Sequence, residues 1–152
     1  MDYFQKEGKD MLVDKVFEQI KTAMRNKDTL SRGVLTILKS NLDMAAKEKG
    51  ADLTEEEEAA IVQREIKQTH QSIDGAKQAG RDDLIEEEET KLRLLESFLP
   101  EQLSVEEVEA ALTEAGVTSG MNMGEAMKIA KPLLAGKTDG KTMAQVVKQL
   151  IQ

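Results

Sequence analysis

Apolar residues recur along this chain at intervals of three and four, the period of one face of an α-helix. Leu12, Val16, Ile20 and Met24, with Val13 and Phe17 beside them, predict a first helix over about 12–26. The polar break Asn26-Lys27-Asp28 separates it from a second, where Leu30, Val34, Ile37, Leu38, Leu42 and Ala45 carry the stripe to about Lys49 and Gly50 is the natural stop. Thr54, followed three residues later by Glu57, has the spacing of a capping box; it opens a third helix with Ile61, Val62, Ile66, Thr69 and Ile73 inward and Gly80 at its end. Asp82 and Asp83 suit the positive end of a fourth helix, which runs through Leu84, Ile85, Leu92, Leu95 and Leu99 until Pro100 ends it. Ser104 and Glu107 repeat the box before a short fifth helix carrying Val105, Val108, Leu112 and Ala115, with Gly116 as terminator. A sixth holds Met123, Met127, Ile129, Ala130, Leu133 and Leu134, and Pro132 should kink or break it. Thr138 or Asp139 then caps a seventh with Met143, Val146, Val147 and Leu150 facing inward. The expectation is an all-α, two-part multihelical fold: an N-terminal extension over 1–10, a subdomain of about four helices over 11–99, and a three-helix unit over 100–152.

Composition narrows the chemistry. The 152 residues include no Cys and one His, which excludes disulfides, thiolate zinc sites, a cysteine nucleophile and any multi-histidine metal site; no metal and no cofactor is implied. No run approaches the ~18 apolar residues of a membrane span, and Met1 to Asp10 is polar, so no membrane association is expected and the default location is cytoplasmic. Three Phe, one Tyr and no Trp argue against aromatic base-stacking platforms.

A net charge of −8 excludes a globally basic nucleic-acid binder, yet the charge is uneven. Residues 11–50 hold eight basic and five acidic side chains, residues 51–114 six and nineteen, and residues 115–152 five and two. Two basic stretches thus flank an acidic middle, the asymmetry expected of a polyanion-facing end, although solvated helix faces produce the same pattern.

No catalytic constellation emerges. The stretch from Gly136 to Thr142 ends in Gly-Lys-Thr, but the position where a phosphate-binding P-loop needs its first Gly is Ala135, and no strand precedes it. What survives is a weaker anion site: Lys137 and Lys141 flank a helix N-terminus whose N–H groups favour phosphate, Gly136 and Gly140 permit close backbone approach, and Lys128, Lys131 and Lys148 add charge. An ordinary cap with exposed lysines reads the same residues, with Asp139 cancelling part of the field. Glu55 to Glu58 and Glu86 to Glu89 lack the Glu-x-x-His pairs of a di-iron bundle and read as helix-start acids and solvated faces. His70, at the edge of an apolar stripe with no partner to orient it, reads as a partly buried structural residue. Met121, Met123, Met127 and Met143 suit either core gap-filling or an adaptable partner-binding face.

Four segments in register carry a further likeness: Gly80-Arg81-Asp82-Asp83-Leu84, Leu99-Pro100-Glu101-Gln102-Leu103-Ser104, Met123-Gly124-Glu125-Ala126-Met127 and Gly136-Lys137-Thr138-Asp139-Gly140-Lys141. In this order and spacing, from about Met11 to the end, the chain resembles the YqeY family. The resemblance implies an all-α fold whose C-terminal three-helix unit is similar to the tail of the B subunit of the tRNA-dependent amidotransferase, where the tail contacts tRNA and the chemistry lies in other domains. It thereby implies a non-catalytic module that binds tRNA, or a protein partner in tRNA aminoacylation or amidation. Glutamine-dependent carbon–nitrogen ligation, the activity associated with the family, would need an amidase nucleophile and a nucleotide site, and no residues here suggest either. The family commonly has Lys where this chain has Glu125. The rival expectation is a protein-interaction module that uses the acidic middle helices or the Met-bearing C-terminal face.

Overall fold

A computed structural model describes residues 11–152; the extension expected over 1–10 lies outside the described residues. The described chain is all helical, with seven helices: α1 (Leu12–Arg25), α2 (Thr29–Lys49), α3 (Glu55–Gln78), α4 (Asp82–Glu96), α5 (Val105–Glu114), α6 (Met123–Leu133) and α7 (Gly140–Ile151). It divides into two compact units, one reaching Phe98 and the other Leu99–Gln152. No described helix is long and apolar enough to cross a membrane.

In the N-terminal unit, α1 pairs extensively with α2 and α3 with α4, while α2 meets α3 and α4 more sparingly. The α1–α2 corner closes on Lys27, which takes φ +56° so that the Asp28 N–H reaches the Ala23 carbonyl at 2.8 Å. Asp28 then caps α2 by accepting the Ser31 N–H at 3.1 Å. Gly50 ends α2 at φ +76°, a left-handed conformation that costs a residue with a Cβ about 1 kcal/mol. Thr54 and Glu57 form both halves of the capping box, and Lys49 holds Glu57 at 2.6 Å. The capped carboxyl of Glu57 sits below the ordinary glutamate range, chiefly through the Lys49 bond and then the Thr54 N–H.

The core of this unit is Leu12, Val16, Ile20 and Ala23 of α1 against Leu35, Leu38 and Leu42 of α2, with Ile61, Val62 and Ile73 of α3 and Leu95 of α4. Each fully buried aliphatic side chain is worth about 1.5–3 kcal/mol over its exposed state. Several expected apolar positions prove exposed: Phe17 and Met24 because the α1 seam passes through Val16, Ile20 and Ala23, Ile37 because the α2 seam runs through Leu35, Leu38 and Leu42, and Leu84 because only Leu95 of α4 is buried. Helix α4 also stops at Glu96, short of Leu99, where the Ser97 hydroxyl bonds the Leu94 carbonyl. His70 is exposed rather than partly buried.

The C-terminal unit has its own core. Val108 and Leu112 of α5, Val117, Ala126 and Ala130 of α6, Leu134, and Met143, Val146 and Val147 of α7 pack as one cluster, with α7 in contact with both other helices. Val105 and Leu133, at the first position of α5 and the last of α6, are exposed instead. Ser104 and Glu107 form the second capping box. Helix α6 tolerates Pro132 because it falls in the last turn: the helix ends one residue later, and the Leu134 N–H still reaches the Ala130 carbonyl.

Candidate nucleic-acid interface

The five lysines singled out in the sequence all belong to this C-terminal unit. Lys128 and Lys131 lie three residues apart, as neighbours on α6, and Lys141 and Lys148 are separated by two turns of α7; all four are exposed, away from the buried positions of their helices. Lys137 is half-buried in the segment joining the two helices. The lysines therefore occupy outer faces of two packed helices and their connection. None is ion-paired with another described residue, whereas in the N-terminal unit Lys21, Lys39, Lys49, Arg81 and Lys91 each hold a carboxylate within 3.0 Å.

Residues 136–141 are built by two stitches to the segment after Pro100. Gln102 donates through Nε2 to the Gly136 carbonyl at 2.5 Å, and the Leu103 N–H donates to the Lys137 carbonyl at 2.9 Å. Two of the four resemblance segments thus touch directly. Gln102 is the residue that reading from periodicity misses, since a polar side chain between two apolar helices carries no period; the Pro100-Glu101-Gln102 segment flags its neighbourhood but not its partner. Gly136 takes φ +73°, is buried, and has its carbonyl engaged by Gln102, so its freedom serves the turn after α6 rather than approach by a ligand. Gly140 is exposed at the first position of α7, and a Cβ there would meet nothing within 4 Å.

The cap of α7 is Asp139, while Thr138 is buried. The Asp139 carboxylate accepts the Thr142 N–H at 2.6 Å. Bonds from Thr142, through its hydroxyl first and then its N–H, hold the Asp139 carboxyl below the usual aspartate range, and the charge of Lys141 adds to this. An anion approaching the helix end therefore meets a carboxylate already in place, and attraction has to come from the lysine ammonium groups. Glu125 has a comparable local task at α6, where it accepts from Asn122 Nδ2 at 2.9 Å while its own N–H donates to Asn122 Oδ1 at 2.8 Å. The unit contains no Arg and no aromatic residue, so its cationic surface is lysine alone.

The sequence model of the family described as Yqey-like protein matches residues 13–151, nearly the whole chain. The chain belongs to the YqeY family. No curated protein matches it. The family match covers both units, so the YqeY pattern includes the α1–α4 unit as well as the lysine-bearing one.

Of the expected methionine face, Met143 is in the core, Met121 and Met127 pack against it, and Met123 is 39% exposed. Among the described residues, no three His, Asp or Glu side chains come together in a metal-holding group.

Proposed function

We infer that this YqeY-family chain is a non-catalytic module that binds tRNA, or a tRNA-handling assembly, through the lysines of its C-terminal unit. The observation that carries this is the set of five lysines on α6, α7 and their connection, four of them exposed, of which, among the described residues, only Lys141 acts on a nearby carboxylate, that of Asp139. Ammonium groups on exposed helix faces release counterions when they meet phosphate, which is the dominant driving force for nucleic-acid binding. The family resemblance, through the amidotransferase tail, supports tRNA as the polyanion. Cytoplasmic location goes with this reading.

The test is a fluorescence-anisotropy titration with total tRNA at two salt concentrations, beside a double-stranded DNA control. Salt-sensitive binding that prefers tRNA is expected, and replacing both Lys137 and Lys141 by Glu should reduce the logarithmic salt slope by roughly 0.7–0.9 for each phosphate no longer neutralised. Unchanged affinity in that variant would remove the lysines from the interface, and absence of binding at low salt would overturn the tRNA reading.

A further inference from the structure

Between α2 and the α3–α4 pair lies an open groove of about 430 Å³, within the N-terminal unit. One wall is a single row on α2, Leu30, Val34 and Ile37, spaced i, i+4, i+7 and so spanning about 10 Å of helix. Ile37 is 57% exposed, which makes this the most solvent-accessible large apolar side chain described. Gly33 lies in the same wall, and a Cβ built there would meet nothing within 4 Å, so the middle of the wall is open to close approach. Opposite stand Glu65 of α3 and Glu88 and Lys91 of α4, with buried Leu95 at the floor.

The two carboxylates are each held by one neighbour: Glu65 accepts from Asn41 Nδ2 at 2.9 Å, and Glu88 from Lys91 at 2.7 Å. A carboxylate has about four lone-pair positions, so each retains capacity for a further cation. The surrounding hairpin reinforces the sign, with fourteen acidic against six basic residues over 51–98. Such a field repels phosphate and draws basic partners. An apolar ridge two turns long, set in this acidic hairpin and faced by Glu65 and the Glu88–Lys91 pair, is the complement of a helix with apolar anchors on one face and cations beside them.

We propose that this groove docks a basic amphipathic helix of a partner protein, its apolar face on Leu30, Val34 and Ile37 and its cations toward Glu65 and Glu88. The site is independent of the RNA reading, because every residue in it lies outside the C-terminal unit.

The test titrates the full chain against a labelled Leu/Lys peptide of about 15 residues, long enough to form a helix on the groove. Two controls accompany it: a scrambled peptide of the same composition without the apolar stripe, and a Leu/Glu analogue. The Leu/Lys helix should bind and both controls should not. Ile37→Ser, which removes apolar surface without altering charge, and Glu88→Lys, which reverses the acid wall, should each weaken binding roughly fivefold to tenfold, with helical circular dichroism unchanged. Glu56→Lys, the same charge reversal on the exposed first turn of α3, should leave affinity within about twofold and so separates the groove from the general acidity of the hairpin. Equal binding of the scrambled peptide, or full affinity in both groove variants, would overturn the proposal. Self-association abolished by Ile37→Ser in sedimentation velocity would overturn it too, and would give the groove to a second copy of the chain.

Discussion

Asp139 joins two tasks that pull in opposite directions. Its carboxylate satisfies the Thr142 N–H at the start of α7, and its negative charge acts on Lys141. Asparagine caps as well as aspartate, whereas alanine loses roughly 0.5–2 kcal/mol. Asp139→Asn should therefore leave thermal stability near its original value at neutral pH while strengthening tRNA binding, and Asp139→Ala should destabilise; melting curves and anisotropy on the two variants check this. The same residue sets a pH dependence. Because the folded carboxyl is held below its ordinary range, the stability it confers is complete above the unfolded value near 4 and is lost as pH falls through the lower folded value. Asp139→Asn should flatten the acid limb of the stability profile in that window.

Helix α1 has no side chain of its own at its N-cap; Glu58 of α3, only 6% exposed, accepts the Leu12 N–H at 3.0 Å from forty-six residues away. Glu58→Ala would leave that buried donor unsatisfied at a cost of about 1–3 kcal/mol, seen as a lower urea midpoint at constant slope, and Glu58→Gln, which keeps an acceptor oxygen, should lose less. Nothing in the local pattern reveals this cap. The glutamate belongs to a run, Glu55 to Glu58, that reads from sequence as helix-start acids, and one of the four turns out to be buried. Where the determinant is local, the sequence is transparent: both capping boxes, the Gly50 stop and the apolar seam of α7 can be read directly. Seams on α1 and α2 come out one residue off, at Ala23 for Met24 and Leu35 for Val34, because each helix has apolar residues on adjacent rows and the neighbouring helix decides which row it covers. For α4, apolar spacing overstates burial, since it packs chiefly against one neighbour, α3. The lysines of the candidate interface are legible as residue types, but their exposure is not, because burial depends on which helix faces lie alongside.

At the scale of the molecule, each unit has a separate core, and the C-terminal one is built from fewer than sixty residues, a size at which a single core is marginal. Unfolding should proceed in two steps. Leu112→Ala, at a fully buried position of the smaller core, should cost about 2–5 kcal/mol of stability and lower only the midpoint assigned to that unit, while Leu38→Ala should act on the other. Probes placed separately in α2 and α7 would report coincident shifts if the cores were energetically one. The composition of the smaller unit bears on time as well as affinity. Lysine ammonium groups are compact point charges with no planar fork to grip two phosphate oxygens and no ring to lie against a base. On the proposed reading, a surface made of them alone would capture RNA quickly and have little to hold it by, so stopped-flow dissociation should fall toward the millisecond end of the range of residence times. A module that binds in this way would pass its RNA on rather than store it.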